Sequence, residues 1–182
     1  MRWAEVEQRQ PRLAEMARRR LVGPGVLLVV TIRRDGSPRL SPVEPFVLDG
    51  DLWLSMMWQS HKALDLLRDP RILVHSIVTR REGDEGELKL RGRARDETDP
   101  QTQRRYAEAV AESLGWRPEV GRFHLFAVDI ESVSLLRYDD PTGDQYVATW
   151  PPAREVVRRG TTATSVGDPE EHWDILGPDD LA

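Results

Sequence analysis

The stretch "VLLVVTIRRDGSPRLSPVEPFVLDGDLWLSMM", residues 26–57, reads as three extended segments joined by two tight turns. The first, residues 26–32, is β-branched and apolar on both faces, the pattern of a buried central strand. Asp35-Gly36 and Asp49-Gly50 are pairs that accept the positive φ angles of two-residue hairpins, so the three segments are expected to form an antiparallel meander. The middle segment carries Pro38, Pro42 and Pro45. Each lacks an N–H, which points to an edge, a bulge or backbone facing a cleft in place of a fully laddered strand.

Working outward, "MMWQSHKALDLLRDPR", residues 56–71, changes from strand to helix. Ser60 is a natural N-cap, Ala63, Leu64, Leu66 and Leu67 recur at helical spacing, and Pro70 stops the helix. His61 and Lys62 then fall in the first turn, at the positive end of the helix dipole, where a cation is opposed by about 0.3–1 kcal/mol. An anion docked there would reverse the sign, because open N–H groups, the Ser60 hydroxyl and the Lys62 ammonium would converge on it. A solvated lysine on an ordinary helix is the plain alternative.

A fourth strand is expected over residues 72–78 and a fifth over 87–95. In the fifth, Leu88, Leu90, Gly92 and Ala94 alternate with Lys89, Arg91, Arg93 and Arg95, as on a sheet with one wet face. Asp99 and Pro100 open a helix that Gly115 and Pro118 end. Residues 122–139 form a last strand long enough to bend across a barrel. Residues 3–20 look helical, with a break at Pro11. The expected organisation is an N-terminal helical segment (1–22), a barrel domain (23–139) and a C-terminal arm (140–182), with the arm packing on a neighbour and a mobile tail from about residue 160. The fold class is mainly β with α (α+β): a six-stranded antiparallel split β-barrel with flanking helices.

Composition narrows function. The 182 residues suit one domain. The longest apolar run, "GVLLVV", is far short of the ~20 residues of a bilayer span, and the acidic, polar start does not read as a signal peptide. No membrane association is expected. Zero cysteines remove disulfides, thiolate metal sites and cysteine nucleophiles and are compatible with a cytoplasmic location. A net charge of −5 does not suggest a nucleic-acid surface. Of 26 basic residues only Lys62 and Lys89 are lysines. His61, His75, His124 and His172 lack the spacing of a metal site, and no metal is expected. No dinucleotide loop, P-loop, nucleophile elbow or distinct carboxylate pair is present. A chain without an obvious nucleophile, metal or acid–base pair can still be an enzyme when a cofactor brings the reactivity.

The sequence of parts over residues 25–139 resembles the pyridoxamine 5'-phosphate oxidase-like FMN-binding split-barrel family and the related F420-dependent deazaflavin reductases. These parts are an apolar strand, a DG turn, "PRLSPV", a DGD turn, an aromatic strand running into Ser-His-Lys, a Leu-rich helix ending in "DPR", and "ELKLRGRA". The resemblance implies a homodimer with flavin at the subunit interface, acting as an oxidoreductase on a small-molecule substrate through hydride transfer at the flavin. It places Arg39, Leu40, Ser41, Pro42 and Val43 along the cofactor and Met56 and Met57 beneath its ring. Ser60, His61 and Lys62 would hold the phosphate, with Lys89 as a further contact. Catalytic residues are not identified. The basic C-terminal segment with which true pyridoxamine phosphate oxidases grip their substrate has no match after Arg137, although Trp150 and Arg154 are candidates for covering the site. A generic FMN reductase is therefore expected ahead of vitamin B6 oxidation. F420 is the alternative cofactor, and a noncatalytic flavin or haem carrier, with His61, His75 or His124 as iron ligand, is the alternative of another class.

Overall fold

A computed structural model describes residues 1–172 and 175. Two short helices open the chain, α1 (Trp3–Arg9) and α2 (Pro11–Ala17), followed by a π-helical turn, Arg18–Val22. Then come β1 (Leu27–Ile32), β2 (Pro38–Val43), β3 (Pro45–Leu48), β4 (Asp51–Met57), α3 (His61–Arg68), β5 (Arg71–His75), β6 (Glu87–Asp96), α4 (Pro100–Leu114) and β7 (Phe123–Asp139). Five further strands follow: β8 (Asp144–Trp150), β9 (Arg154–Arg158), β10 (Gly160–Thr162), β11 (Ser165–Val166) and β12 (Glu170–Glu171).

The expected meander forms, with one change. Its second segment is broken at Glu44 into β2, which pairs with β1, and β3, which pairs with β4. Pro45, without an N–H, begins β3 where the chain changes partner. The ladder then runs β2-β1-β5-β6-β7-β4-β3, so the circuit returns to its start through the single residue Glu44. That seam is the split in the barrel. The expected six strands become twelve among the described residues, partly through this break and partly through the C-terminal strands.

The Asp49-Gly50 hairpin closes as a two-residue turn, while the first is wider, with the Arg33 N–H donating to the Ser37 carbonyl at 2.8 Å around Gly36. Gly36 has φ +85°, and Asp49 and Gly50 have φ +53° and +77°, the left-handed pair that lets a two-residue turn follow the twist of its strands. Inside the barrel, Leu27, Val29, Leu54, Val74, Leu88, Leu90, Phe126 and Val128 form the core. The N-terminal helices share this core, with Trp3, Val6, Leu13 and Leu21 all fully or almost fully buried in it. Residues 1–22, expected as an N-terminal helical segment, pack against the barrel. Helix α4 covers the outside of β4 and β7 through Tyr106 and Val110, packed with Trp53, Phe123 and Leu125. Asp99 caps it by accepting from the Thr102 N–H at 2.8 Å, and Gly115 ends it in the left-handed conformation.

Beyond Asp140 the chain does not lose regular structure. β8 pairs with the second half of β7, β9 with β8, and β12 with β9. The tail expected from residue 160 is a small hairpin, β10–β11, and then β12. The remainder of that tail, 173, 174 and 176–182, lies outside the described residues.

One glycine controls how β6 crosses β7. Gly92 sits where the register shifts, and a Cβ built on it would lie 2.3 Å from the Asp129 carbonyl oxygen. Backbone cannot retreat from that contact without breaking the ladder. Gly92→Ala is therefore expected to destabilise the protein by about 1–3 kcal/mol, the usual cost of overpacking, read as a lowered urea midpoint. An unchanged midpoint would mean the two strands have room to part.

Candidate functional site

The turn leading into α3 is held from below. Gln59 adopts φ +58°, and its N–H donates to His124 Nε2 at 3.2 Å. The His124 ring, itself buried, stacks on Trp58 with centroids 4.6 Å apart and planes 9° from parallel. Ser60 N donates to the Met57 carbonyl at 3.0 Å and closes the turn. Ser60 is the N-cap residue, as its sequence position demands, yet its hydroxyl does not cap the helix. The Ser60 Oγ is buried and has no hydrogen-bond partner among the described residues. The N–H groups of His61, Lys62 and Ala63, which open α3, find no backbone acceptor among the described residues.

The helix is oriented by a buried carboxylate. Asp65, 4% exposed, accepts from Thr31 Oγ1 at 2.9 Å and from Arg39 Nε at 2.6 Å, with Arg68 3.4 Å away on the same helix. Burial pushes the Asp65 carboxyl up, but its hydrogen bonds from Arg39 and Thr31 outweigh that and hold it below its ordinary value. Arg68 also donates to the Ile32 carbonyl. Helix α3 is thereby pinned to β1 and β2.

At the barrel's split lies a cleft of about 460 Å³. Pro42, Val43, Met56, Met57 and Lys62, all read from sequence as site residues, line it. Lys62 Nζ donates to the Pro42 carbonyl at 3.1 Å, its one bond among the described residues, and burial pushes its ammonium below the usual lysine value. Of the two methionines, Met56 turns into the core and Met57 is 81% exposed. Ser60 and His61 sit where α3 begins, one and two residues before Lys62.

The other sequence candidates lie elsewhere. Arg39 is engaged with Asp65. Leu40, 62% exposed, stands on the outer sheet face opposite Val30, and Ser41 pairs with Val29. Lys89 is ion-paired with Glu87 on β6. Pro42, Leu28, His75 and Lys89 occupy successive places in one row across β2, β1, β5 and β6. At the usual strand spacing Lys89 is therefore about 14 Å from Pro42 along the same face.

Sequence reasoning missed the cleft's other wall, which consists of Trp116, Pro118, Glu119, Arg122 and Phe123, and its floor at Glu44 and Ser55. The wall belongs to an irregular connector in which no periodicity could mark a site. The hydroxyl of Tyr106, raised above its ordinary pKa mainly by burial, is hydrogen-bonded to Ser55.

An antiparallel barrel opened along one seam, with a helix start and a lysine at that seam, defines a split-barrel protein of the β-rich α+β class. The chain belongs to the pyridoxamine 5'-phosphate oxidase family, whose model matches residues 13–137. Among curated proteins, none matches the sequence significantly. Solved structures are similar in fold. A putative pyridoxamine 5'-phosphate oxidase from Listeria innocua superposes with TM-score 0.53 at 15% identity, over 68% of this chain and 93% of its own. A Clostridium acetobutylicum protein related to general stress protein 26 gives TM-score 0.53 at 14% identity, over 74% and 89%. A haem-binding protein from Mycobacterium smegmatis gives 0.51 at 19%, over 66% and 53%.

The Asp65 cluster sets a pH dependence with a definite sign. A carboxylate held below its unfolded value contributes stability above that value and loses it as pH falls through the folded one. Asp65→Asn should cost about 1.5–3 kcal/mol at pH 7, as expected for hydrogen bonds to a charged group. That deficit should shrink as pH falls below the usual carboxylate range near 3.8. Urea unfolding of both proteins across this range checks it; a deficit independent of pH would assign the loss to packing.

Proposed function

We propose that this chain binds FMN at the split and acts as a flavin-dependent oxidoreductase on a small molecule. The observation that carries the reading is the first turn of α3, which holds a buried Ser60 hydroxyl without a partner among the described residues, the open N–H groups of residues 61–63, and Lys62, which lines the cleft. A phosphate at this turn would meet groups of the kind that anions seek, since helix N-termini and ammonium groups favour negative charge. The residues present thus fit the phosphate end of a flavin. Ser60, His61 and Lys62 would hold it, while Pro42, Val43 and Met57 offer an apolar surface to the ring. When bound, the flavin supplies hydride transfer at its ring, and the protein supplies placement and exclusion of water.

Subunit pairing is part of the proposal. The outward residues of β1, Leu28, Val30 and Ile32, are only half-buried, and Leu40 beside them is mostly exposed. A strand apolar on both faces calls for a second layer, and a second copy of the chain supplies it in the homodimer we propose. A reducing, cytoplasmic setting is consistent with the absence of cysteine.

F420 is the second reading. Arg91 and Arg93 lie on the same outer face as Lys89 and carry no ion pair among the described residues, so a longer anionic tail could be met there. For a noncatalytic haem carrier, two of the three candidate histidines are already engaged. His124 Nε2 already accepts the Gln59 N–H, and His75 is bonded at Nδ1 to the Ser76 carbonyl, with Glu87 3.4 Å from Nε2.

Absorption spectra of the purified protein titrated with FMN, F420 and haem test the cofactor. FMN is expected to bind, and Lys62→Glu to weaken it more than tenfold, since charge-assisted hydrogen bonds contribute about 1.5–3 kcal/mol. Equal affinity in both proteins would remove the phosphate role. Light scattering is expected to give a dimer mass, and Leu40→Lys to shift it toward monomer; a monomeric wild type would overturn the shared interface.

A further inference from the structure

We infer that the connector between α4 and β7 is a substrate wall selecting a planar aromatic ligand with one negative charge. The inference rests on the flavin reading for the position of the cofactor and goes beyond it in naming what lies against it.

The connector has almost no regular structure, yet it is fastened at several points. The buried amide of Gln103 spans it, donating from Nε2 to the Glu97 carbonyl at 2.9 Å and accepting at Oε1 from the Gly121 N–H at 3.2 Å. Gly121 takes φ +79°, which admits the turn at this anchor. Arg122 N closes a turn on the Glu119 carbonyl at 2.9 Å, and Arg117 pairs with Glu108 of α4 at 3.3 Å. Burying an amide requires both its ends to be satisfied, and here both are used to fix the backbone beside Arg122.

What the wall presents is chemically specific. Trp116 is 43% exposed while lining the cleft, and Phe123 lies at its base. Arg122 has no ion pair among the described residues, although Glu119 is three positions away. An exposed indole offers a face for stacking, and a guanidinium offers a planar fork that matches a carboxylate. The charge count sets the limit of one. Two cations, Lys62 and Arg122, and two carboxylates, Glu44 and Glu119, line the same cleft, and none of the four is ion-paired with another among the described residues. With Lys62 committed to the cofactor phosphate, Arg122 remains for the substrate, and the two carboxylates oppose a second negative charge.

The test uses the full-length chain with three probes: 4-nitrobenzoate, its neutral isostere 4-nitrobenzamide, and the dianion 4-nitrophthalate. Binding to FMN-loaded protein is read from the shift of the flavin band and repeated without FMN by tryptophan fluorescence. The monoanion is expected to bind at least tenfold more tightly than either of the others. Arg122→Gln should reduce that preference below threefold with FMN affinity unchanged within twofold, and Arg122→Lys should keep part of it. Trp116→Ala should weaken benzoate and benzamide alike. Equal affinities for the three probes, a preference that survives Arg122→Gln, or loss of FMN itself in that variant would each overturn the inference. If FMN does not bind but the Arg122-dependent preference persists in its absence, the flavin reading fails and the wall stands; FMN binding without any preference fails the wall alone.

Discussion

The carboxylate of Asp65 is the interaction on which the rest of the site depends. A helix of eight residues is too short to be stable alone, and its orientation must come from what it touches. Asp65 collects a hydroxyl from β1, a guanidinium from β2 and another from its own helix. Three elements are thereby referred to one pair of oxygens. The opposite end of the same helix is aimed at the split by consequence, because an eight-residue helix of ~1.5 Å rise per residue acts as a rigid lever about 12 Å long. His124 does for the preceding turn what Asp65 does for the helix body.

Rigidity at the site therefore arises from polar groups that are themselves buried. Asp65, His124 and Gln103 are three of the few buried polar side chains. Each is spent on fixing backbone near the cleft, at α3, at the turn before it and at the connector beyond α4. The hydrophobic core holds the barrel together without choosing how its mouth is shaped. Directional bonds make that choice, since dispersion and burial carry little angular preference.

Much of this was legible in residues alone. Asp-Gly pairs specify turns by steric permission, and Asp99 with Gly115 mark helix ends by chemistry local to a few positions. The start of α3 was legible for the same reason. What escaped reading depends on partners distant in sequence. That the segment with three prolines exchanges partner at Glu44 is a property of β1 and β4 together. Arg39 resembled a cofactor contact, yet its carboxylate partner stands 26 residues away. Residues 144–171 lack strong alternation because β8, β9 and β12 form a ribbon that is only partly covered, so no hydrophobic period announces it.

The irregularity where Gly92 meets β7 has a consequence for the numbering of that strand. Phe126, Val128 and Ile130 face the interior, and so do Val133 and Leu135. The inward frame passes from even to odd positions across Glu131, which is exposed and unmatched in the ladder. One surplus residue thus acts as a phase shift that lets a single seventeen-residue strand serve the barrel with its first half and the C-terminal ribbon with its second. Deleting Glu131 would bring Ser132 next to Ile130 and restore plain alternation with Val133 and Leu135 still inward, removing the local bend, whereas deleting a laddered residue further along would turn every side chain after it to the other face. The two layers of this protein are locked in step by one residue whose side chain touches neither core.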